Sequence, residues 1–296
     1  MISAERQVWR QYPRAEGMVT MDEATEYLMN STGENDGFWK QVKGEVQQAV
    51  EQEPLLGSFL YASVLRHEGL DRALGSILAN RLQTPELPSI VLRDLFEEAL
   101  TADPTIGASL RADLLAVRTR DPAARGFSQP FLYYKGFHAL EAYRVAHWLW
   151  NRQRYALATY LQNRISETFG VDVHPAARIG SGILIDHGTS VVIGETAVVE
   201  DHVSILHEVT LGGTGKESGD RHPKVRRGVL IGAGAKILGN IEIGRGAKVG
   251  ACSVVLRDVP PHTTVAGIPA RVVGHCVEAE PALEMDMTFP SYGDGI

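Results

Sequence analysis

The apolar residues of the chain follow two different periods, and the change falls near Gly170. Before that residue they recur at every third and fourth position, as in Leu55, Phe59 and Leu60, which is the period of helices that bury one face. Prolines interrupt this pattern and suit helix starts and the loops between helices. Residues 1–169 are therefore predicted to form an all-α domain.

After Gly170 an aliphatic residue returns at every sixth position. In such a repeat each hexad supplies one short strand and one corner, and three hexads complete a coil of about eighteen residues around an aliphatic interior. Residues 170–275 are predicted to form a left-handed parallel β-helix of hexapeptide repeats, which makes the chain an α+β protein of two domains. The in-phase positions are Val173, Ile179, Ile185, Ile193, Val199, Ile205, Leu211, Ile231, Ile237, Ile243, Val249 and Val255.

The hexad period breaks at two places, and breaks are where loops leave a solenoid. A slip of two residues separates Ile185 from Ile193, and after Leu211 no inward aliphatic residue is expected until Val229. Residues 212–228 are predicted to project as an excursion loop. The last segment, 276–296, is acidic and has little to bury, so it is predicted to be a flexible tail.

Composition excludes several classes of function. The formal net charge of -7 repels the phosphate backbone of nucleic acids. No apolar stretch reaches the roughly 18 residues that a membrane-spanning helix requires. The two cysteines give no disulfide framework, and no signal-peptide pattern opens the chain. We therefore expect a cytoplasmic protein that binds neither nucleic acid nor membranes.

Asp172 and His187 are the first candidates for chemistry. They lie fifteen positions apart, three short of a coil, so they are expected on neighbouring coils at about one strand spacing, roughly 4.8 Å. A carboxylate there would fix the tautomer of the imidazole and leave its other nitrogen free to take a proton from a hydroxyl. The same spacing fits an ion pair at a surface corner, so both interpretations stay open.

The predicted loop carries a cluster of polar residues: Asp220, Arg221, His222 and Lys224. Arginine suits bidentate binding of a carboxylate, and a neighbouring histidine can donate a hydrogen bond to the same anion or to a developing oxyanion. A solvated charge cluster is the alternative interpretation.

Two further candidates for chemistry are the pair His202 and His207, as metal ligands, and Cys252, as a nucleophile. The histidine pair is spaced like two zinc ligands of the γ-class carbonic anhydrases, another β-helix family, but no third histidine is placed to join them, so no metal is predicted. Cys252 could carry an acetyl group as a thioester. It has no base near it in sequence, and a small residue at a corner is the preferred reading.

Six strings of the sequence resemble the bacterial serine acetyltransferases. The resemblance implies a serine O-acetyltransferase that moves an acetyl group from acetyl-CoA to the hydroxyl of L-serine, the first step of cysteine biosynthesis. Other acceptors such as homoserine, a metal-dependent carbonic anhydrase, and a non-catalytic scaffold that regulates a partner are the alternatives. The strings are VDVHPAA at 171–177, IDHG at 185–188, VTLGGTGK at 209–216, GDRHPK at 219–224, IGAGAKI at 231–237 and YGDGI at 292–296.

The resemblance also implies roles for residues. His187 would be the general base, oriented by Asp172, in a direct attack on acetyl-CoA that needs neither a protein nucleophile nor a tightly bound cofactor. Asp121 and Asp186 would bind the ammonium group of serine, while Arg221 and His222 would hold its carboxylate and assist catalysis. The candidates for CoA binding are Gly213, Thr214, Ala233, Lys248, Ala251 and Arg271.

Partners follow from the same resemblance. It implies a homo-oligomer, a trimer or a dimer of trimers, whose sites lie between neighbouring β-helices. The C-terminal residues Asp294, Gly295 and Ile296 would insert into O-acetylserine sulfhydrylase. L-cysteine, which is similar to serine, would be a feedback inhibitor.

Overall fold

The computed structural model of the chain describes residues 36–215 and 218–287. The predicted partner-binding residues 294–296 lie outside these ranges. None of the helices in the described ranges combines the length and the apolar character needed to cross a membrane.

The first half of the described chain is helical. Asp36 begins α1 by accepting hydrogen bonds from the backbone N–H groups of Phe38 and Trp39, and Asp103 caps α5 in the same way, with Pro104 in its first turn. The helices are α1 (Gly37–Gln52), α2 (Gly57–Leu60), α3 (Leu70–Leu82), α4 (Ser89–Ala102), α5 (Pro104–Arg120), α6 (Ser128–Tyr133), α7 (Lys135–Asn151) and α8 (Tyr155–Phe169). Short 3-10 and π turns cover Pro54–Leu56 and Tyr61–Leu65.

The second half forms the parallel β-helix that the hexad period predicted, and this prediction is confirmed. Sheet A contains β1 (Val171–Val173), β4 (Val191–Ile193), β7 (Thr210–Gly212), β10 (Lys236–Leu238) and β13 (Val254–Val255). Sheet B contains β2 (Arg178–Ile179), β5 (Val198–Val199), β8 (Lys224–Val225) and β11 (Glu242–Ile243). Sheet C contains β3 (Leu184–Ile185), β6 (Ser204–Ile205), β9 (Leu230–Ile231), β12 (Lys248–Val249), β14 (Thr263–Gly267) and β15 (Ala270–His275).

The strand register gives the length of each coil. Asp172 pairs with Val192, twenty residues later, so the slip near Ile185 lengthens the first coil by two residues. Val192 pairs with Thr210, eighteen residues later, and Thr210 pairs with Lys236, twenty-six residues later. The excursion loop therefore adds eight residues to one coil.

The excursion loop ends earlier than predicted. Strand β8 begins at Lys224 and pairs with both β5 and β11, and the side chain of Val225 is completely buried. Residues 224–228 thus belong to the coil, and the prediction of a loop over 212–228 was wrong at its C-terminal end. A single inward valine with no glycine after it gives too little periodic signal to reveal a strand.

The start of the predicted tail also differs from expectation. Residues 276–287 pack on the β-helix through the short helix α9 (Pro281–Glu284). The backbone N–H of Ala282 donates to the carbonyl of Gly228, and its carbonyl accepts from Ser204 Oγ at 2.9 Å. The prediction of a flexible tail was wrong for this part. Glu280 and the buried Ala282 make contacts with the β-helix that the acidic composition of the segment did not indicate.

A buried ion pair joins the helical half to the β-helix. Arg144 on α7 donates through Nε to Asp113 on α5 at 3.0 Å, and through Nη2 to the carbonyl of Gly180 at 2.8 Å. Asp113 also accepts from the backbone N–H of Ile183 at 2.7 Å. Because these groups are shielded from water, their pairing fixes α5 against the coil, and with it Asp121, which follows the last residue of this helix.

Candidate active site

The predicted site residues are distributed over two corners of the triangular β-helix. The Asp186 corner, residues 186–190, 206–209, 232–235 and 250–253, joins sheet C to sheet A. The Arg221 corner, residues 174–177, 194–197 and 213–223, joins sheet A to sheet B. Sheet A lies between the two corners, so the width of one face separates them.

His187 projects from the Asp186 corner. Its backbone is left-handed, with φ of 57°, and its side chain is 72% exposed. Nε2 lies 3.8 Å from Asp186 Oδ2, and the ring of His207 on the next coil meets it edge-on, with 5.7 Å between ring centroids. The imidazole is therefore open to a ligand on one side and supported by the coil on the other.

The structure brings the two carboxylates predicted to bind an ammonium group to the same corner. The side chain of Tyr134 is hydrogen-bonded to Asp121 and lies near Asp186. Burial raises the pKa of Tyr134 to about 12, together with the negative charge of Asp121. Burial also raises the pKa of Asp186, Asp121 adds to this rise, and His187 and His207 oppose it. Asp121, Tyr134 and Asp186 thus form a cluster of acidic side chains beside His187, which is called the acidic pocket below.

Tyr134 and His207 were missed by the sequence analysis. His207 had been considered only as a partner of His202, and Tyr134 lies between α6 and α7 with no periodic signal. Close packing at Gly136 places Tyr134 here: a Cβ on Gly136 would lie 2.1 Å from the carbonyl oxygen of Ile185, so only glycine allows α7 to start against this corner.

Asp172 does not make the contact that its spacing predicted. It lies beside Val192, and its Oδ1 accepts a hydrogen bond from Gln162 Nε2 at 2.7 Å. The first coil is longer than eighteen residues, so counting from Asp172 by the ideal period misplaced its neighbour, and that geometric prediction was wrong. Among the described carboxylates, Asp186 is the one that comes within ion-pair distance of His187.

The Arg221 corner is a hydrogen-bonded cluster of its own. Arg221 Nη2 donates to Glu195 Oε2 at 2.7 Å, and this bond lowers the pKa of Glu195. The backbone N–H of Thr196 donates to His222 Nδ1 at 3.2 Å, so the neutral ring carries its proton on Nε2. Burial lowers the pKa of His222, helped by the charge of Arg221, which favours this neutral form.

A glycine makes room for the His222 ring. A Cβ on Gly194 would lie 2.0 Å from His222 Nε2, so the ring can lie flat against the coil only because position 194 has no side chain. His222 is 7% exposed in the single chain. Lys224 Nζ donates to the carbonyl of His222 at 2.7 Å and also pairs with Asp220, which lowers the pKa of the Asp220 carboxyl.

The predicted CoA-binding residues do not form one patch within a single chain. Gly213 and Thr214 lie at the Arg221 corner, whereas Ala233 and Ala251 lie at the Asp186 corner. Arg271 is exposed on β15 of sheet C. Lys248, on β12, is only 5% exposed.

The other two candidates occupy separate positions. His202 and His207 lie at different corners, and His202 Nδ1 contacts Glu280 Oε2 at 2.9 Å, so the spacing of a zinc pair does not bring the two rings together. Cys252 is an exposed corner residue with φ of 55°, and its backbone N–H donates to the carbonyl of Ala233.

Comparison with known proteins assigns the family. Residues 38–142 match the family model "Serine acetyltransferase, N-terminal", and residues 222–257 match "Bacterial transferase hexapeptide (six repeats)". The serine acetyltransferase of Salmonella typhimurium is 59% identical over 264 residues, which cover 87% of this chain and 97% of the relative. The chain belongs to the serine acetyltransferase family.

Solved structures of this family superimpose closely on the chain. A serine acetyltransferase in complex with cysteine has a TM-score of 0.84 at 55% identity, covering 86% of this chain and 98% of the solved one. The enzyme of Brucella abortus in complex with coenzyme A has a TM-score of 0.81 at 53% identity, covering 81% and 96%. The chain is therefore an acetyl-CoA-dependent acyltransferase that acetylates L-serine.

Proposed function

We propose that the acetyl transfer takes place between two copies of the chain, with the Asp186 corner of one copy facing the Arg221 corner of the next. The observation that carries this proposal is the division of the predicted site: the base and the acidic pocket lie at one corner, and the carboxylate-binding and oxyanion-binding groups lie at another. The candidates for CoA binding are divided in the same way. Cyclic homo-oligomers bring different patches of neighbouring copies together.

In this site His187 acts as the general base. It takes the proton from the serine hydroxyl as the oxygen attacks the thioester carbon of acetyl-CoA. Nε2–H of His222 donates to the oxyanion that develops on the carbonyl oxygen. Collapse of the tetrahedral intermediate breaks the C–S bond, releases O-acetylserine, and leaves a CoA thiolate that accepts the proton from His187. No protein nucleophile takes part.

Asp172 has a positioning role in this proposal. It lies on sheet A between the two corners, where its carboxylate can orient an imidazole once it exchanges its bond with Gln162 for one with His187.

Serine is held at both ends. Its ammonium group fits the acidic pocket of Asp121 and Asp186, where a positive charge offsets the repulsion between two carboxylates. Its carboxylate pairs with Arg221, which exchanges Glu195 for the substrate. L-cysteine presents the same two charged groups, so we propose that it competes for this site as an inhibitor.

Replacing Arg221 with alanine should raise KM for serine at least about tenfold, because one charge-assisted hydrogen bond to the substrate carboxylate is lost. KM for acetyl-CoA should change little. Initial rates of thiol release measured against each substrate test this expectation. Arg226→Ala is the matched control, since Arg226 pairs with Glu200 and Glu242 on sheet B, away from both corners. An equal rise in both Michaelis constants for Arg221→Ala would remove Arg221 from serine binding.

The shared site itself predicts complementation between two inactive variants. If His187→Ala and His222→Ala chains are co-expressed with different tags and mixed oligomers are isolated, about one quarter of the sites in a randomly mixed ring receive both histidines, so activity should return to about that level. The control mixes His187→Ala with Asp186→Asn, both from the same corner, which should restore nothing. Mixed oligomers that stay inactive in the first combination would contradict a site between chains.

The remaining partners follow from family membership. We propose a dimer of trimers in the cytoplasm, with acetyl-CoA as co-substrate and no tightly bound cofactor. The C-terminal residues Asp294, Gly295 and Ile296 are proposed to dock into O-acetylserine sulfhydrylase.

A further inference from the structure

A cavity lies in the helical half, apart from both corners. It is a cleft of about 940 Å³ between α3, α4 and the first turns of α5. Arg66, His67, Ser76 and Arg93 line it. Gly107 lines it on α5, where it adds no side chain to the cleft. Nothing in the acetyl transfer described above uses these residues.

The positive charges of this cleft are not all neutralised. Its carboxylates already have partners, since Arg72 pairs with Glu68 and Glu97 at 3.1 and 3.0 Å, and Arg111 pairs with Asp71 at 2.9 Å. Arg66 and Arg93 form no ion pair with any carboxylate in residues 36–215 or 218–287. Arg66 Nε lies 3.5 Å from His67 Nε2, which also lies 3.2 Å from the carbonyl oxygen of Ala62. Burial lowers the pKa of His67, the bond with Ala62 opposes this, and the charges of Arg66 and Arg93 lower it further.

Two polar atoms at the wall of the cleft lack a hydrogen-bond partner. The hydroxyl of Ser76 is buried, with the residue 3% exposed, and it has no partner among the described residues. The same holds for Nε of Arg93, although Nη2 of this guanidinium donates to Ser89 Oγ at 3.2 Å. A buried polar atom without a partner costs free energy, and a ligand that accepts hydrogen bonds would recover it.

We propose that this cleft binds a small molecule that carries phosphate groups. The walls offer two guanidinium groups that no described carboxylate neutralises and one unpartnered hydroxyl, while the three carboxylates of the lining are already paired with Arg72 and Arg111. A tetrahedral oxyanion accepts hydrogen bonds from several directions at once, which suits donors arranged around a cleft. The volume exceeds that of one phosphate ion, so the ligand has more than one charged group or an organic part as well.

Calorimetric titration of the full-length protein with inorganic pyrophosphate at low ionic strength tests this proposal. Saturating coenzyme A is present throughout, so that phosphate sites for the co-substrate are occupied. One pyrophosphate should bind per chain, and Arg93→Gln should weaken binding at least about tenfold, because a charge-assisted bond is lost. Ser76→Ala should weaken it as well, and this variant removes an unpartnered hydroxyl without disturbing any bond of the fold. Arg226→Gln on sheet B is the control and should bind like the unsubstituted chain.

Three outcomes would overturn the proposal. One is the absence of binding heat with the full-length protein in the presence of coenzyme A. Another is binding that neither Arg93→Gln nor Ser76→Ala weakens, because the anion would then lie elsewhere. The third is tighter binding of citrate than of pyrophosphate, which would assign the cleft to carboxylates instead of phosphates. Thermal melting of each variant confirms that it is folded before the titration.

Discussion

Replacing His187 with alanine should lower kcat by about 10²–10⁴-fold, because the serine hydroxyl is then left without a base to take its proton. The loss should be in kcat and should persist at saturating serine and acetyl-CoA, since His187 is not among the groups proposed to bind either end of serine. Thiol release under saturating conditions measures it. The exposed imidazole beside an acidic pocket is the geometry that carries this expectation.

The control for this prediction is His67→Gln, which changes a histidine of the helical half that is remote from the catalytic corner. It should leave kcat unchanged. A His187→Ala enzyme that retains the turnover of the unsubstituted chain would remove His187 from the mechanism and leave proton transfer to another group, of which His207 is the nearest imidazole.

Replacing Arg144 with methionine should lower the free energy of unfolding by about 3–5 kcal/mol, because it leaves two buried carboxyl groups without their cation. Asp113 is completely buried and Glu141 is 2% exposed. Tm should fall by about 10 °C, as measured by circular dichroism or calorimetry. Activity should fall with it, since the pair holds α5 and therefore Asp121 against the β-helix.

The loss caused by Arg144→Met should depend on pH. Burial raises the pKa of Glu141, the charge of Asp113 raises it further, and Arg144 opposes this rise. Without Arg144, the pKa of Glu141 in the folded state lies still further above that of the unfolded chain. Stability is then retained at low pH, where both states are protonated, and is lost as pH rises through the unfolded value toward the folded one. The destabilisation should therefore be smaller at pH 5 than at pH 8.

The exposed pair between Arg154 and Glu98 provides the comparison. Its atoms lie 2.9 Å apart, but both side chains are in contact with water. Arg154→Met should cost no more than about 1 kcal/mol, because an exposed ion pair gains little over hydration. Equal losses for Arg144→Met and Arg154→Met would show that burial does not control the strength of these pairs here.

The sequence predicted the fold correctly wherever one residue type recurs at a fixed spacing. Few folds other than a β-helix bury an aliphatic residue at every sixth position. The β-helix and its first break could therefore be predicted from the sequence alone. Residue type and spacing alone indicated His187 as a candidate base, whereas Asp186 came only from the resemblance to the family. The identity of serine as acceptor came from the family and not from the period.

The tertiary structure decided everything that depended on distances between coils. Asp172 was paired with the wrong neighbour because two added residues shift the register, and the strand at Val225 was missed because one buried residue makes no pattern. Tyr134 and Asp121 reach the Asp186 corner only through the packing of α5 and α7 on the coil. The hexad period did not show the division of the site between two corners, since it fixes which residues point inward but not which corners face each other; only the resemblance to the family implied sites between neighbouring β-helices. Periodicity is a local property of the chain, whereas the catalytic arrangement depends on contacts between residues far apart in sequence.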